Sequence, residues 1–454
     1  MIEHQTTPWT EAALHDLAQR ILKASRADAT EVVLNGHTTY LTRFANSQIH
    51  QNVSEQDLVV SVRVAFGQKL GTSSTNDLSP ESLEAMVKNA EALAHFQPDN
   101  PEFPGFAMPM AWAPLDSAID RTLAFTPADR AKVVHHVCHD AIAEGLNASG
   151  AFTTGLRQFA VANSNGVWAY HASTLADFQT VVLGSDSSGW AASTHIDAGR
   201  IDGEALAEEA IDKALRSRHP QELEPGTYTV ILEEYAVNDM LAQLGGGFGG
   251  DEVREGRSFM TGRAGERAAH KDIIVWDDGH DLSGVPCPFD YEGVPKQKVT
   301  FLDRGRIGAP VYDLRTARLE GTSSTGHYQA GGPFWGAGVA AWNLFMAPGV
   351  HTKDEMLEST ERGIWVTRFH YVNTLDRRKT TITGMTRDGT FWIENGQIVR
   401  PLKNMRFTQG IMDALADVEM IGNHTKLETS WLGGGTRSPA LKIKNFRFSG
   451  KTTF

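Results

Sequence analysis

The chain has 454 residues, 41% hydrophobic and 21% charged, enough for two or three domains at roughly 150 residues each. Its formal net charge of -13 argues against nonspecific nucleic-acid binding, which needs a basic surface to displace counterions from phosphates, and against anionic membrane surfaces. No apolar run approaches the ~20 residues of a membrane span, no basic stretch precedes an apolar core near the start, and two cysteines cannot build a disulfide framework; the expected location is cytoplasmic.

Ala13, Leu14, Leu17, Ile21 and Leu22 recur at helical spacing and predict a first helix over 10–25. Strands are expected at 31–34 and 38–44, separated by an Asn35-Gly36 turn, and at 58–66, where Val59, Val60, Val62 and Val64 are β-branched. Ser79 as N-cap with Pro80 behind it starts the next helix, but Ser82 leaves the capping box incomplete. Five prolines between residues 97 and 114 fit neither a helix interior nor a central strand, so this stretch reads as a linker or surface crossing. Thr126-Pro127-Ala128-Asp129 opens a helix that carries Val133, Val134, Val137, Ala141 and Ile142 and ends near Gly145. Strands follow over 152–196 around an Asn163-Ser164-Asn165-Gly166 hairpin, then a helix over 203–217. Beyond about residue 222 glycine turns punctuate short apolar runs; at 388–396 a Trp392-Ile393 strand is expected between a glycine turn and an Asn-Gly turn. The predicted fold is α+β: a mixed α/β N-terminal domain over 1–222 and a β-rich C-terminal domain over 223–454.

The segment 276–328 carries Asp277-Asp278-Gly279, Pro288-Phe289-Asp290-Tyr291-Glu292-Gly293 with Pro295 behind it, Asp303-Arg304-Gly305-Arg306-Ile307, Tyr312-Asp313, Arg315-Thr316-Ala317 and Ser324-Thr325-Gly326. In that order these pieces resemble the TldD/PmbA family, and several spaced matches are more specific than one short motif. Asn46-Ser47, Gly67-Gln68-Lys69-Leu70-Gly71 and Asn163-Ser164-Asn165-Gly166 extend the resemblance more weakly through the N-terminal half. The resemblance implies cytoplasmic proteins in which TldD holds zinc on a His-Glu-x-x-x-His helix, while TldE, also called PmbA, pairs with it and lacks that motif. The zinc helix would fall within 227–260, which contains no histidine; the corresponding helix offers Glu233, Glu234, Asn238, Asp239 and Gln243. Oxygen and amide donors alone suit calcium or magnesium better than zinc, and the two glutamates read as a helix N-terminal turn. The family's C-terminal cysteine ligand has no counterpart in 429–435, because the two cysteines are Cys138 and Cys287. The chain therefore resembles the TldE branch: no cofactor of its own, zinc expected in a TldD-like partner, a peptide as substrate of the complex.

Each local cluster also has a plainer reading. His135 and His139 lie four apart on a predicted helix, a metal-sharing spacing, but Val133, Val134 and Val137 run through the same turns and no glutamate takes the general-base place. Gly245-Gly246-Gly247-Phe248-Gly249-Gly250 satisfies a dinucleotide pattern but follows a helix and precedes Asp251 and Glu252, so a flexible loop is expected. Asp277, Asp278, His280 and Asp281, with Asp290 and Glu292, could hold a hard cation, but turn chemistry accounts for them more simply. Ser323, Ser324 and Thr325 beside His327 lack a hydrolase elbow, leaving His327, like His280, a bare metal candidate. Trp335, Trp342, Trp365, His370, Arg377 and Arg378 are the candidates for holding an extended peptide, with core and rim as the alternative.

The segment 363–407 departs from the family pattern, which implies a subgroup that assembles with itself or has its own substrate. Three functions follow: a non-catalytic subunit paired with a TldD-like chain, a self-assembling enzyme with a non-standard site, and an interaction module that modulates another enzyme. The last is the family's older description as a gyrase modulator, and nothing in the sequence favours DNA contact.

Overall fold

The computed structural model describes residues 9–331, 337–429 and 434–452. The first helix, α1 (Glu11–Ala24), starts where the Thr10 hydroxyl accepts the Ala13 amide, and it buries Leu14, Leu17, Ala18 and Ile21. Three strands follow as a meander, β1 (Ala29–Ala45), β2 (Gln48–Phe66) and β3 (Lys69–Thr75), and then α2 (Pro80–Phe96). A short α3 (Asp120–Leu123) leads to α4 (Pro127–Ala143), whose Thr126 and Asp129 form a complete capping box. A second meander follows: β4 (Asn147–Asn163), β5 (Trp168–Leu183) and β6 (Ser188–His195), closed by α5 (Gly203–Arg216). The six strands form one sheet in the order β3-β2-β1-β4-β5-β6.

That order is a duplication. Helix, three-strand meander and helix occur twice, joined where β1 pairs with β4 through Glu31↔Asn163 to Phe44↔Gly150. The two outer helices pack on the two edge strands in the same way. A Cβ at Gly71 on β3 would overlap the Ala90 carbonyl and Ala94 amide of α2, and one at Gly189 on β6 would overlap the Ala210 carbonyl and Ala214 amide of α5.

Two expectations change here. Asn35-Gly36 is no turn: both residues sit inside the 17-residue β1, paired to β2 and β4 at once, and Gly36 leaves room for the Trp9 ring. Ile142 on α4 is 60% exposed, while Arg130, a cation, is buried and donates to Thr42 Oγ1, Thr154 Oγ1 and the Phe125 carbonyl. The prolines of 97–114 lie in an irregular strap that crosses onto the C-terminal half. Asn163 donates to the Ala107 carbonyl at 2.8 Å, Arg315 pairs with Glu102 at 2.8 Å, and Arg318 donates to the Phe103 carbonyl.

The remaining strands are β7 (Gly226–Leu232), β8 (Val275–Asp277), β9 (Val299–Asp303), β10 (Arg306–Ile307), β11 (Tyr328–Gln329), β12 (Gly338–Val339), β13 (Asn343–Met346), β14 (Arg362–Asp376), β15 (Thr381–Glu394), β16 (Gln397–Pro401), β17 (Met405–Gly410), β18 (Val418–Thr429) and β19 (Gly435–Lys451). Between them run α6 (Glu234–Ala242), α7 (Gly250–Arg254), α8 (Leu314–Leu319), α9 (Lys353–Glu358) and α10 (Ile411–Ala416). Eleven strands form one sheet; because β7 pairs with both β14 and β19, the strands β7, β14, β15, β17 and β19 close on themselves. The fold is thus α+β with a β-rich C-terminal part. Val237, Met240 and Leu241 of α6 share its core with Ile364, Phe369, Phe407 and Phe446.

The glycine run is not a flexible loop: Gly245–Phe248 is a 3-10 helix that runs into α7, and the Phe248 ring stacks on Phe301 at 3.8 Å. Asp388-Gly389 is not a turn either, since β15 continues through it while Asp388, with φ of 54°, pairs with Arg368 at 2.7 Å. The Asn395-Gly396 turn is present, both residues at positive φ. Among the described residues no helix is long and apolar enough to cross a membrane.

Gly71→Ala and Gly189→Ala are each expected to destabilise by about 1–3 kcal/mol through forced separation of helix and strand. Denaturant melts of both variants check this; unchanged midpoints would sink the close-packing account.

Candidate functional site

Two polar clusters flank α6, the helix expected to correspond to the family's zinc helix. The β-branched and aromatic residues of β7 end at Leu232, and the chain turns into α6 with Glu233 as N-cap and Glu234 as first helical residue. Two acids suit the positive helix end, but both are buried, at 2% and 1% exposure, so the dipole alone does not account for them. Cations do. Glu233 Oε2 accepts from Lys213 Nζ at 2.7 Å and Oε1 from Trp365 Nε1 at 2.6 Å. Lys213 also donates to Glu209, which accepts from Lys426; Lys426 donates to the Tyr235 hydroxyl, and Lys353 pairs with Glu234 at 3.2 Å. Burial works against every charge here, but the mutual fields win: Lys213 and Lys353 hold Glu233 below the usual carboxylate range, Lys213 and Lys426 bring Glu209 down to about 2, and Glu233 and Glu209 raise Lys213. The network lines a pocket of about 150 Å³ walled by Trp365, Phe391 and Ile398.

The second cluster lies further along α6. Asn238 donates to the Lys426 carbonyl and accepts from the Ser438 hydroxyl at 2.7 Å. Asp239 accepts the Phe369 amide; burial pushes it up to about 7 against the opposing field of Arg368. Glu428 is driven well above the carboxylate range by burial and then by the Asp239 charge. Arg368 stacks 3.8 Å over Trp190, and Asp177, raised by burial, accepts from Thr194 at 2.6 Å.

The residues of α6 do not fit a zinc ion, because both Glu233 oxygens and both polar atoms of the Asn238 amide are engaged within the protein. Among the described residues no three His, Cys, Asp or Glu side chains are arranged to hold a metal. The histidine candidates scatter. His135 and His139 sit 5.8 Å apart on the exposed face of α4, with His139 against Asp140. His280 lies beside Asp278 in a turn. His327 is fully buried, its Nε2 3.1 Å from Asp277 Oδ1 and its Nδ1 against Thr325. Asp277 also accepts the Trp342 and Asn343 amides; burial opposes its charge, but Lys296 and His327 hold it down to about 2.

Turn chemistry describes Asp278, Asp281 and Asp290, which accept the amides of His280, Ser283 and Glu292. The motif around Asp290 also docks the two halves. Phe289 stacks on Phe159 of β4 at 5.2 Å, and Arg63 of β2 reaches Glu31, Glu292 and the Tyr328 hydroxyl.

The peptide candidates are not brought together. Trp365 lines the pocket, Trp342 lies beside Asp277, and His370, Arg377 and Arg378 sit towards the far end of the β14–β15 hairpin, with Arg377 on Glu252. Trp335 lies outside the described residues, as do 430–433 of the C-terminal segment. Lys213, Lys353, Lys426, Arg368 and Glu428 were not singled out from the sequence; only the Glu209–Lys213 spacing on a helix could have flagged one of them.

The family models that match this chain define a metallopeptidase-like class. Models of PmbA/TldA metallopeptidase domain 1, central domain and C-terminal domain match residues 30–94, 117–218 and 225–450. The chain belongs to the PmbA/TldD family. It is 21% identical over 439 residues to metalloprotease PmbA of Escherichia coli O157:H7, covering 93% of both chains. To the metalloprotease TldD homolog of Buchnera aphidicola it is 25% identical over 256 residues, a match spanning about half of each chain, 54% of this one and 52% of the other. TldE from Thermococcus kodakarensis superposes with a TM-score of 0.87 at 16% identity, covering 96% of this chain and all of that one, which establishes the fold.

Lys213→Met is expected to cost about 3–5 kcal/mol by leaving Glu233 buried without its cation, and Lys213→Met/Glu233→Gln to regain most of it; equal losses in both would refute the pairing. Asp239 has a raised folded pKa, so it contributes stability below the ordinary aspartate value near ~3.9 and loses it as pH climbs through about 7. Asp239→Asn should flatten that decline in thermal melts; parallel profiles for the two proteins would exclude Asp239 as its source.

Proposed function

We propose that this chain is a non-catalytic subunit of a PmbA/TldD-type metallopeptidase, pairing with a TldD-like chain that supplies the zinc while this one contributes wall and cradle for a peptide. The observation that carries the reading is the closed chemistry of α6. Glu233 is neutralised by Lys213, and Asn238 is spent on Ser438 and the Lys426 carbonyl, so the helix presents no free ligand pair. Three lysines already balance the acids around it, and a divalent cation there would face like charge.

One observation favours a second reading, a self-assembling enzyme with its own site. Asp239 and Glu428 are interacting carboxyls with raised pKa values, and a carboxyl poised near neutrality is what general acid-base chemistry needs.

Elemental analysis of the purified chain, alone and co-expressed with a TldD-like protein, together with assembly mass and peptidase activity, separates the two. Zinc and activity appearing only in a mixed assembly support the subunit reading. Stoichiometric metal or activity in the lone chain, with activity lost in Asp239→Asn, would replace it by the second.

A further inference from the structure

The pocket at the start of α6 has unused binding capacity. Its floor is closed: Lys213 spends its donors on Glu209, Glu233 and the Trp190 carbonyl, and both carboxylates turn their oxygens onto Lys213, Lys426 and Trp365. Its rim is open. Lys353 makes one hydrogen bond, to Glu234, out of the three an ammonium can donate. Arg216 makes one, to Asp212, out of five, with its guanidinium 5.3 Å from the Phe391 ring centroid. Both side chains are partly exposed, at 36% and 45%, and so within reach of solvent. Three cations against two carboxylates line the cavity, and the wall between is apolar: Trp365, Phe391 and Ile398. A volume of about 150 Å³ matches cavities that take one benzene-sized group, so the occupant is the size of a single residue.

We propose that this pocket binds the carboxylate of a small apolar acid, with Arg216 and Lys353 on the carboxylate and Trp365, Phe391 and Ile398 on the apolar side chain. Arg216 supplies a planar fork suited to two carboxylate oxygens; Lys353 supplies a point charge. Two sources present this chemistry: the C-terminal residue of a peptide, and a free carboxylic acid. As a peptide end it deepens the cradle reading above and rests on it; as a free acid it stands apart from that reading.

The test is calorimetric titration of the full chain with N-acetyl-leucine, N-acetyl-leucinamide, Ala-Ala-Leu and its C-terminal amide. Each acid is expected to bind at least tenfold tighter than its amide. The tripeptide acid binding tighter than N-acetyl-leucine marks the source as a peptide end, and the reverse order marks a free acid. Arg216→Gln should weaken acid binding about tenfold, and Lys353→Met likewise, whereas Lys88→Gln on the exposed face of α2 should leave it unchanged. Lys353→Met strands the buried Glu234, so Arg216→Gln, whose partner Asp212 is exposed, carries the decision if Lys353→Met does not fold. Equal affinity for acid and amide, no binding of either acid at millimolar concentration, or wild-type affinity in Arg216→Gln would overturn the proposal. Co-assembly with a TldD-like chain is read separately by mass, so failure of this site and failure of the subunit reading remain distinct results.

Discussion

The burial of Glu233 and Glu234 at the start of α6 is the constraint on which the C-terminal half depends. Removing an uncompensated carboxylate from water costs several kcal/mol, whereas a helix N-terminus returns only about 0.3–1 kcal/mol at the surface and ~2 at best. The difference is met by ammonium groups. They come from α5, where Lys213 pairs with Glu233, and from α9, where Lys353 pairs with Glu234; because α5 belongs to the N-terminal half, Glu233 is tolerated only when the halves are docked. The polar centre of the molecule is therefore also a joint, and its charges are committed to holding elements together before any ligand arrives.

A second joint lies at the segment that identified the family. Phe289 enters the apolar layer formed with Phe159, Val161 and Ala169, while Asp290 spends both oxygens on the amides of Glu292, Val294 and Tyr328. Packing and turn closure thus account for the spacing of Pro288 to Gly293. The motif was readable as a signature because local chemistry fixes it. What it fastens to, the first sheet more than a hundred residues upstream, was not.

Local signals gave local structure. Ser79, Thr126 and Asp129 mark helix starts because a cap needs nothing beyond four consecutive residues. Asn35-Gly36 misled for the complementary reason: the dipeptide favours a turn, but pairing on both edges of β1 holds it extended, and the glycine serves the Trp9 ring instead. Asp388-Gly389 has the backbone of a turn residue without the turn, because Arg368 on the neighbouring strand fixes the aspartate in place. The glycine run reads as loose, and Phe248 within it pins it against Phe301. At the site, Trp365 stood out as an aromatic. Lys426 and Glu428 sit on a strand nearly two hundred residues beyond α6 and carry no mark that distinguishes them from surface charges.

The duplicated N-terminal half shows how one face of a repeat becomes specialised. By the matched contacts of Gly71 with Ala90 and Ala94, and of Gly189 with Ala210 and Ala214, Asn89 and Leu93 of α2 occupy the places of Glu209 and Lys213 on α5. On α2 those positions face solvent, Leu93 being 46% exposed. On α5 the same positions meet the C-terminal half, and Lys213 is 8% exposed. Such an i,i+4 Glu–Lys pair on an open helix contributes about 0.2–0.5 kcal/mol; under the C-terminal half its lysine becomes the counter-charge that lets α6 begin with the buried Glu233. The chemistry of the α6 pocket thus arises from asymmetry of cover: two similar outer helices exist, and only the one that the second sheet overlays carries an ion pair at these matched positions.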